Sequence, residues 1–186
     1  MTLDIGIGIF AAIVVSKLFS LELTPLLVGL GIGFALLPDI DFIYSLARNG
    51  HSNHRAVAKH RDIIHYPLIY LPLGALLALP FGFQWSLLFL LASFGHFLHD
   101  SIGIGWGIPW LWPFTKKNYS FLYRYSPPGK KLPLRLVYRW KRNELDELID
   151  KYGDPDWFRN IYLKLHPFFI FEILFFVVAL IMLWHV

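Results

Sequence analysis

Gly95-His96-Phe97-Leu98-His99-Asp100 closes an apolar run that begins at Phe83, and its reading decides the kind of molecule. His96 and Asp100 stand at i and i+4, so on a helix they project from one face about a turn apart, as two ligands on one helix must. An imidazole and a carboxylate at the end of a bilayer-length helix are expensive unless they pair or hold a cation. A packed His–Asp hydrogen bond satisfies the same spacing, and His99 falls off the shared face.

Outward from this stretch the chain stays apolar. Of 186 residues, 56% are hydrophobic and only 16% charged, and mean hydropathy is +0.51, which excludes a water-soluble monomer. Residues 3–21, 25–37, 63–80, 83–100 and 163–184 form runs that are full or short bilayer spans at about 20 residues per crossing. The expected fold is an all-α integral membrane protein with about five membrane elements and a cytoplasmic-side interfacial helical segment. It reads as a single membrane-embedded domain over 1–186. Residues 1–114 hold the metal-site spans and a lid-like segment, 115–162 the cytoplasmic amphipathic segment, and 163–186 the last span. Within the amphipathic segment, Leu134, Val137, Leu145, Leu148 and Ile149 recur at helical spacing from Pro133 to Tyr152, and Asp154-Pro155 opens a second helix.

Charge fixes the sidedness. Apart from Lys17, every Lys and Arg lies either between the second and third elements or from Lys116 to Lys164. The positive-inside rule places both segments in the cytoplasm, with the amino terminus inside, in a cell inner membrane crossed several times. Nucleic acid is not an expected partner of so small a basic excess; membrane lipid is. The absence of cysteine leaves His and carboxylate as the ligands for any metal.

Two further stretches fall at the cytoplasmic face. Leu36-Leu37-Pro38-Asp39-Ile40-Asp41 ends an apolar segment at a proline and offers two carboxylates, which are solvated helix-stop acids or ligands able to share a metal. His60-Arg61-Asp62-Ile63-Ile64-His65 enters the third span. Its imidazoles lie about 140° apart on an ideal helix and converge only if the chain turns between them. Arg61 is a membrane-side anchor or a bidentate holder of an anionic group, and His51 and His54 suit a solvated basic loop. Asp39, Asp41, His60, His65, His96 and Asp100 together make a donor set suited to zinc or manganese. After Asp100 a Gly- and Pro-rich run to Phe114 reads as non-helical backbone, either walling a site or anchoring in the interface.

Leu37 to Asp41, His60 to His65, Gly95 to Asp100, and Gly107 to Phe114 followed by Lys116, Lys117 and Tyr119 resemble, in order and spacing, the LexA-binding, inner-membrane-associated metal-dependent hydrolases, small multi-span proteins of bacteria and archaea. The likeness covers residues 25–121. Ile64 and Tyr66 stand where that family usually has Thr and Ser, and Asp62 where a small residue is common. The resemblance implies a metal-dependent hydrolase.

The function expected from the sequence is a membrane-embedded metallohydrolase acting on a phosphoester or lipid-like substrate at the cytoplasmic face. Asp41 serves as bridging ligand or general base and Arg61 holds the substrate anion. The alternatives are a noncatalytic, metal-braced protein binding a cytoplasmic regulatory protein or anionic lipid, and an ion- or proton-coupled transporter using Glu172 and Lys17, unless those charges merely pair.

Overall fold

The computed structural model describes residues 2–40 and 64–186. In chain order its helices are α1 (Thr2–Phe19), α2 (Pro25–Leu36), α3 (Pro67–Ala78), α4 (Phe83–Asp100), α5 (Leu145–Tyr152) and α6 (Pro167–His185). Its strands are β1 (Ile102–Gly103), β2 (Lys117–Arg124) and β3 (Val137–Lys141). Contacts divide the chain into two compact units: Met1–Pro38, Ile69–His96 and Leu165–Val186 in the first, Asp39–Leu68 and Phe97–Lys164 in the second.

The first unit is organised around α1. Ala11, Ala12 and Val15 form a core with Leu27 and Ala35 of α2 and with Leu88 and Ala92 of α4, while Ile9 and Ile13 cluster with Ala179 of α6. Small residues one turn apart, Gly8 and Ala12 on α1 and Gly31 and Ala35 on α2, let the two backbones touch. A Cβ on Gly8 would stand 2.5 Å from the Ile32 Cα, and one on Gly31 would strike the Gly8 carbonyl oxygen. α6 lies along α1 in the same direction, since Thr2 meets Glu172 and Gly6 meets Phe175 and Phe176. Thr24 caps α2 by accepting from the Leu27 amide at 3.2 Å. At the other end Pro38 has no N–H to return to the Phe34 carbonyl, and the Ser93 hydroxyl of α4 donates to that oxygen instead, at 3.1 Å. α2 then tightens into a single 3₁₀ turn, Leu37–Asp39.

The second unit contains a three-stranded mixed sheet, β1 parallel and β3 antiparallel to β2. Tyr138 and Trp140 alternate inward along β3 and pack with Trp106, Leu145 and Ile149. The buried Arg124 guanidinium lies 3.7 Å over the Trp106 ring and donates to the carbonyls of Gly103, Ile104 and Gly105, which holds the glycine-rich run in place. Gly107, at φ 71°, has its Cα face against the Tyr119 carbonyl, where no side chain fits. Asp154 gathers hydrogen bonds from the Tyr125 hydroxyl at 2.7 Å, the Asn160 amide at 2.8 Å and the Asp156 N–H at 2.9 Å. Burial raises its pKa, but these donors and the charge of Lys164 outweigh that and leave it below its ordinary value.

The expectation of an all-α protein with five membrane elements is therefore corrected. Only α1 and α6, among the described residues, are both long and apolar enough to cross a bilayer. α2 and α3 are helical but short, and α4, although 18 residues long, carries Gln84, Ser86, Ser93, His96, His99 and Asp100. Pro133 to Tyr152 is not one helix: Val137–Lys141 is β3, whose Val-Tyr-Arg-Trp-Lys alternation has period two, and the helix begins only after it, with a 3₁₀ turn at Arg142–Glu144 leading into Leu145–Tyr152. After Asp154-Pro155 comes a π-helical turn, Arg159–Leu163.

The α1–α2 contact yields a paired test. Gly31→Ala is expected to destabilise the protein in detergent by about 1–3 kcal/mol through backbone overpacking. Gly33→Ala, on the same helix with nothing within 4 Å of the new methyl group, should be neutral or slightly stabilising. Equal unfolding midpoints for the two variants would contradict the contact.

Candidate metal centre

Three elements of the second unit bring ligand atoms together. Asp39 ends the 3₁₀ turn after α2, His65 precedes α3, and Asp100 is the last residue of α4. The His65 Nε2 stands 3.0 Å from an Asp100 carboxylate oxygen and 3.7 Å from one of Asp39. His65 is fully buried with its ring edge-on to Phe97, and Asp100 is nearly so, whereas the Asp39 side chain stays 23% exposed. Asp39 is thus the least enclosed of the three.

His96 is the fourth donor. The boundary between the two units falls within α4, just after His96, so its place relative to Asp100 is set by one unbroken helical turn. One ligand atom from each of Asp39, His65, His96 and Asp100 lies within 4.8 Å of the others. Around a tetrahedral ion with bonds of about 2.0–2.2 Å the donors stand about 3.3–3.6 Å apart, so the group would draw in by up to about 1.5 Å to close around one cation. Two imidazoles and two carboxylates suit a borderline divalent ion such as zinc or manganese.

The surroundings hold these donors still. Ser101, next to Asp100, donates from Oγ to the Phe97 carbonyl at 2.7 Å and accepts from the Trp110 indole at 2.6 Å. Its carbonyl accepts from the Phe121 amide and the Ser120 hydroxyl, tying the end of α4 to β2. Beside His65, the Tyr66 ring packs on Trp112 at 4.7 Å and its hydroxyl accepts from Arg142 at 2.8 Å. At His96, Nδ1 lies 3.1 Å from a carboxylate oxygen of Asp4, the one acidic residue of α1.

Of the residues expected from the sequence, Asp39, His65, His96 and Asp100 are brought together, and Asp41, His60 and Arg61, with His51 and His54, lie outside the described residues. Sequence reasoning missed Asp4, Ser101 and Arg142. Asp4 carries a readable signal, an acid within an apolar helix, of the same kind as Lys17 and Glu172. Glu172 is buried and accepts from Thr2 at 3.4 Å, while Lys17 is exposed some fifteen residues further along α1, about 22 Å away at helical rise.

A family described as YdjM inner membrane protein matches residues 4–184. That description agrees with the inner-membrane part of the resemblance noted from the motifs; it mentions neither LexA nor hydrolysis. Comparison with curated proteins and with solved structures gives no match.

If the four donors hold one ion, His65→Ala, His96→Ala and Asp100→Ala should each weaken zinc or manganese binding by about 100-fold or more, beyond the 10–100-fold typical of residues that only touch a ligand. Chelator competition with metal analysis of the purified protein checks this, with Lys17→Ala as the unaffected control.

Proposed function

This chain belongs to the YdjM inner membrane protein family, and on that premise we propose that it is a metal-dependent hydrolase acting on a phosphoester or lipid-like substrate at the cytoplasmic face. The observation that carries the reading is the convergence of Asp39, His65, His96 and Asp100, three of them buried, with the fourth open to solvent. A bound divalent cation would polarise a phosphoryl or carbonyl oxygen and lower the pKa of water toward neutrality. Zinc is the ion assigned, with manganese the alternative.

The protein's own groups supply the rest. The buried Asp100 and the part-exposed Asp39 carboxylates would balance the cation's charge. His60 and Asp41 extend the donor set by their motifs, Asp41 as bridging ligand or as general base toward the attacking water, and Arg61 holds the substrate anion bidentately. In the second unit Phe114, Leu134 and Leu136 are largely exposed among Lys116, Lys117, Lys130, Lys131 and Arg135, a composition that suits anionic headgroups at the edge of a bilayer. The same basic segment is where a cytoplasmic regulatory protein would dock. Both candidate spans crossing in one direction, amino ends inside, is supported by the parallel packing of α1 and α6 and by the positive-inside pattern.

A second reading, a noncatalytic metal brace, is favoured by the donor number, since four protein ligands suffice to fill a tetrahedral zinc site. X-ray absorption on the metal-loaded protein separates the two through an open, water-filled position. In mixed micelles with phospholipid mono- and diesters, Asp41→Asn should lower kcat by about 10²–10⁴-fold, the range for a general base, while Arg61→Ala should act mainly on KM. A filled protein-only coordination sphere with no phospholipid turnover would leave the brace.

A further inference from the structure

We infer that Asp4 is the positioning residue for the metal centre: it accepts a hydrogen bond from the Nδ1–H of His96 and so fixes Nε2 as the ligating nitrogen. This rests on the reading of Asp39, His65, His96 and Asp100 as a metal group. An ionised carboxylate only accepts hydrogen bonds, so at 3.1 Å the His96 Nδ1 must carry the hydrogen. The remaining lone pair of a neutral imidazole is then on Nε2, and the facing carboxylate makes that nitrogen a more basic donor.

Asp4 is 1% exposed within a helix whose other buried residues are apolar or small, apart from Ser16 at its far end. A carboxylate there is costly unless its charge is used. The first unit is built to hold it in place. Gly95, next to His96, lets α4 approach α1 so closely that a Cβ there would stand 2.5 Å from the Ile7 side chain. One turn along the same face from Asp4, the Gly8–Gly31 contact locks α1 against α2. Asp4 and His96 thus face each other between two backbones with little room to shift, the preorganisation a metal-ligating histidine needs.

A buried His–Asp pair serving the fold alone would show the same distance, so the test reads the ion itself. Cobalt(II), whose visible spectrum reports ligand geometry, is titrated into the purified full-length protein in detergent. Wild type is expected to bind it, and Asp4→Asn to bind about 10–100-fold more weakly with an altered visible spectrum, because an amide can donate to Nδ1 and move the proton to Nε2. Asp4→Glu should restore part of both. Far-UV circular dichroism of the isosteric Asn variant should match wild type. Unchanged affinity and spectrum in Asp4→Asn would overturn the positioning role while leaving the metal centre standing. Weaker binding with an unaltered spectrum would also overturn it, since it would mean that Asp4 acts on the fold alone. Failure of the wild type to bind cobalt or zinc would remove the metal reading itself, and this inference with it.

Discussion

Burying imidazoles and carboxylates in an apolar interior is the constraint on which the remaining structure depends. His65, His96, Asp100 and Asp4 are each 5% exposed or less, and ionised or strongly polar groups at that depth need mutual contacts or a cation to offset lost hydration. Much of the architecture near them follows from that need. The chain breaks its helices at Pro38 and after Asp100, where carboxylates turn toward His65, and it places glycine at positions 8, 31 and 95, where neighbouring helices approach closely. Where a proline leaves a carbonyl without its helical partner, a serine from a neighbouring helix supplies the hydrogen.

The site was more legible than the fold. His96 and Asp100 declare themselves because helical spacing converts i and i+4 into one face, and α4 ends at Asp100 as its sequence implies. Asp39 was readable from the proline before it, and His65 from its place at the entry to an apolar run. What spacing could not convey is contact between elements distant in sequence. Asp4 and His96 are 92 residues apart, and nothing local to either indicates the other. Ser101 and Trp110 carry no legible signal for a related reason: the indole of one meets the hydroxyl of the other nine residues away, and a serine after an aspartate has no periodic signature.

The second unit shows where helical periodicity misled. Leu134, Val137, Leu145 and Leu148 fit a helical face, but within 137–141 the pattern that wins is Tyr138 and Trp140 alternating into a core with Trp106. Strand pairing with β2 decides it, and β2 sits in a stretch whose aromatic and basic residues read equally well as an interfacial collar. Five apolar runs give only two helices long and apolar enough to cross a bilayer among the described residues, for a simpler reason. An apolar run shorter than a bilayer is thick can serve as a buried packing helix, as α2 does with Leu27, Gly31 and Ala35 against its neighbours.

The direction shared by α1 and α6 bears on how the chain assembles. Thr2 of α1 and Glu172 of α6 are 170 residues apart, so the flank of α1 formed by Gly6, Ile9 and Ile13 gains its α6 cover only after the chain between the two helices has been made. Lipid must stand in during that interval, which an all-apolar flank tolerates. Closure therefore belongs to α6, which joins α1 across 170 residues of chain, a high-contact-order step expected to come late in folding.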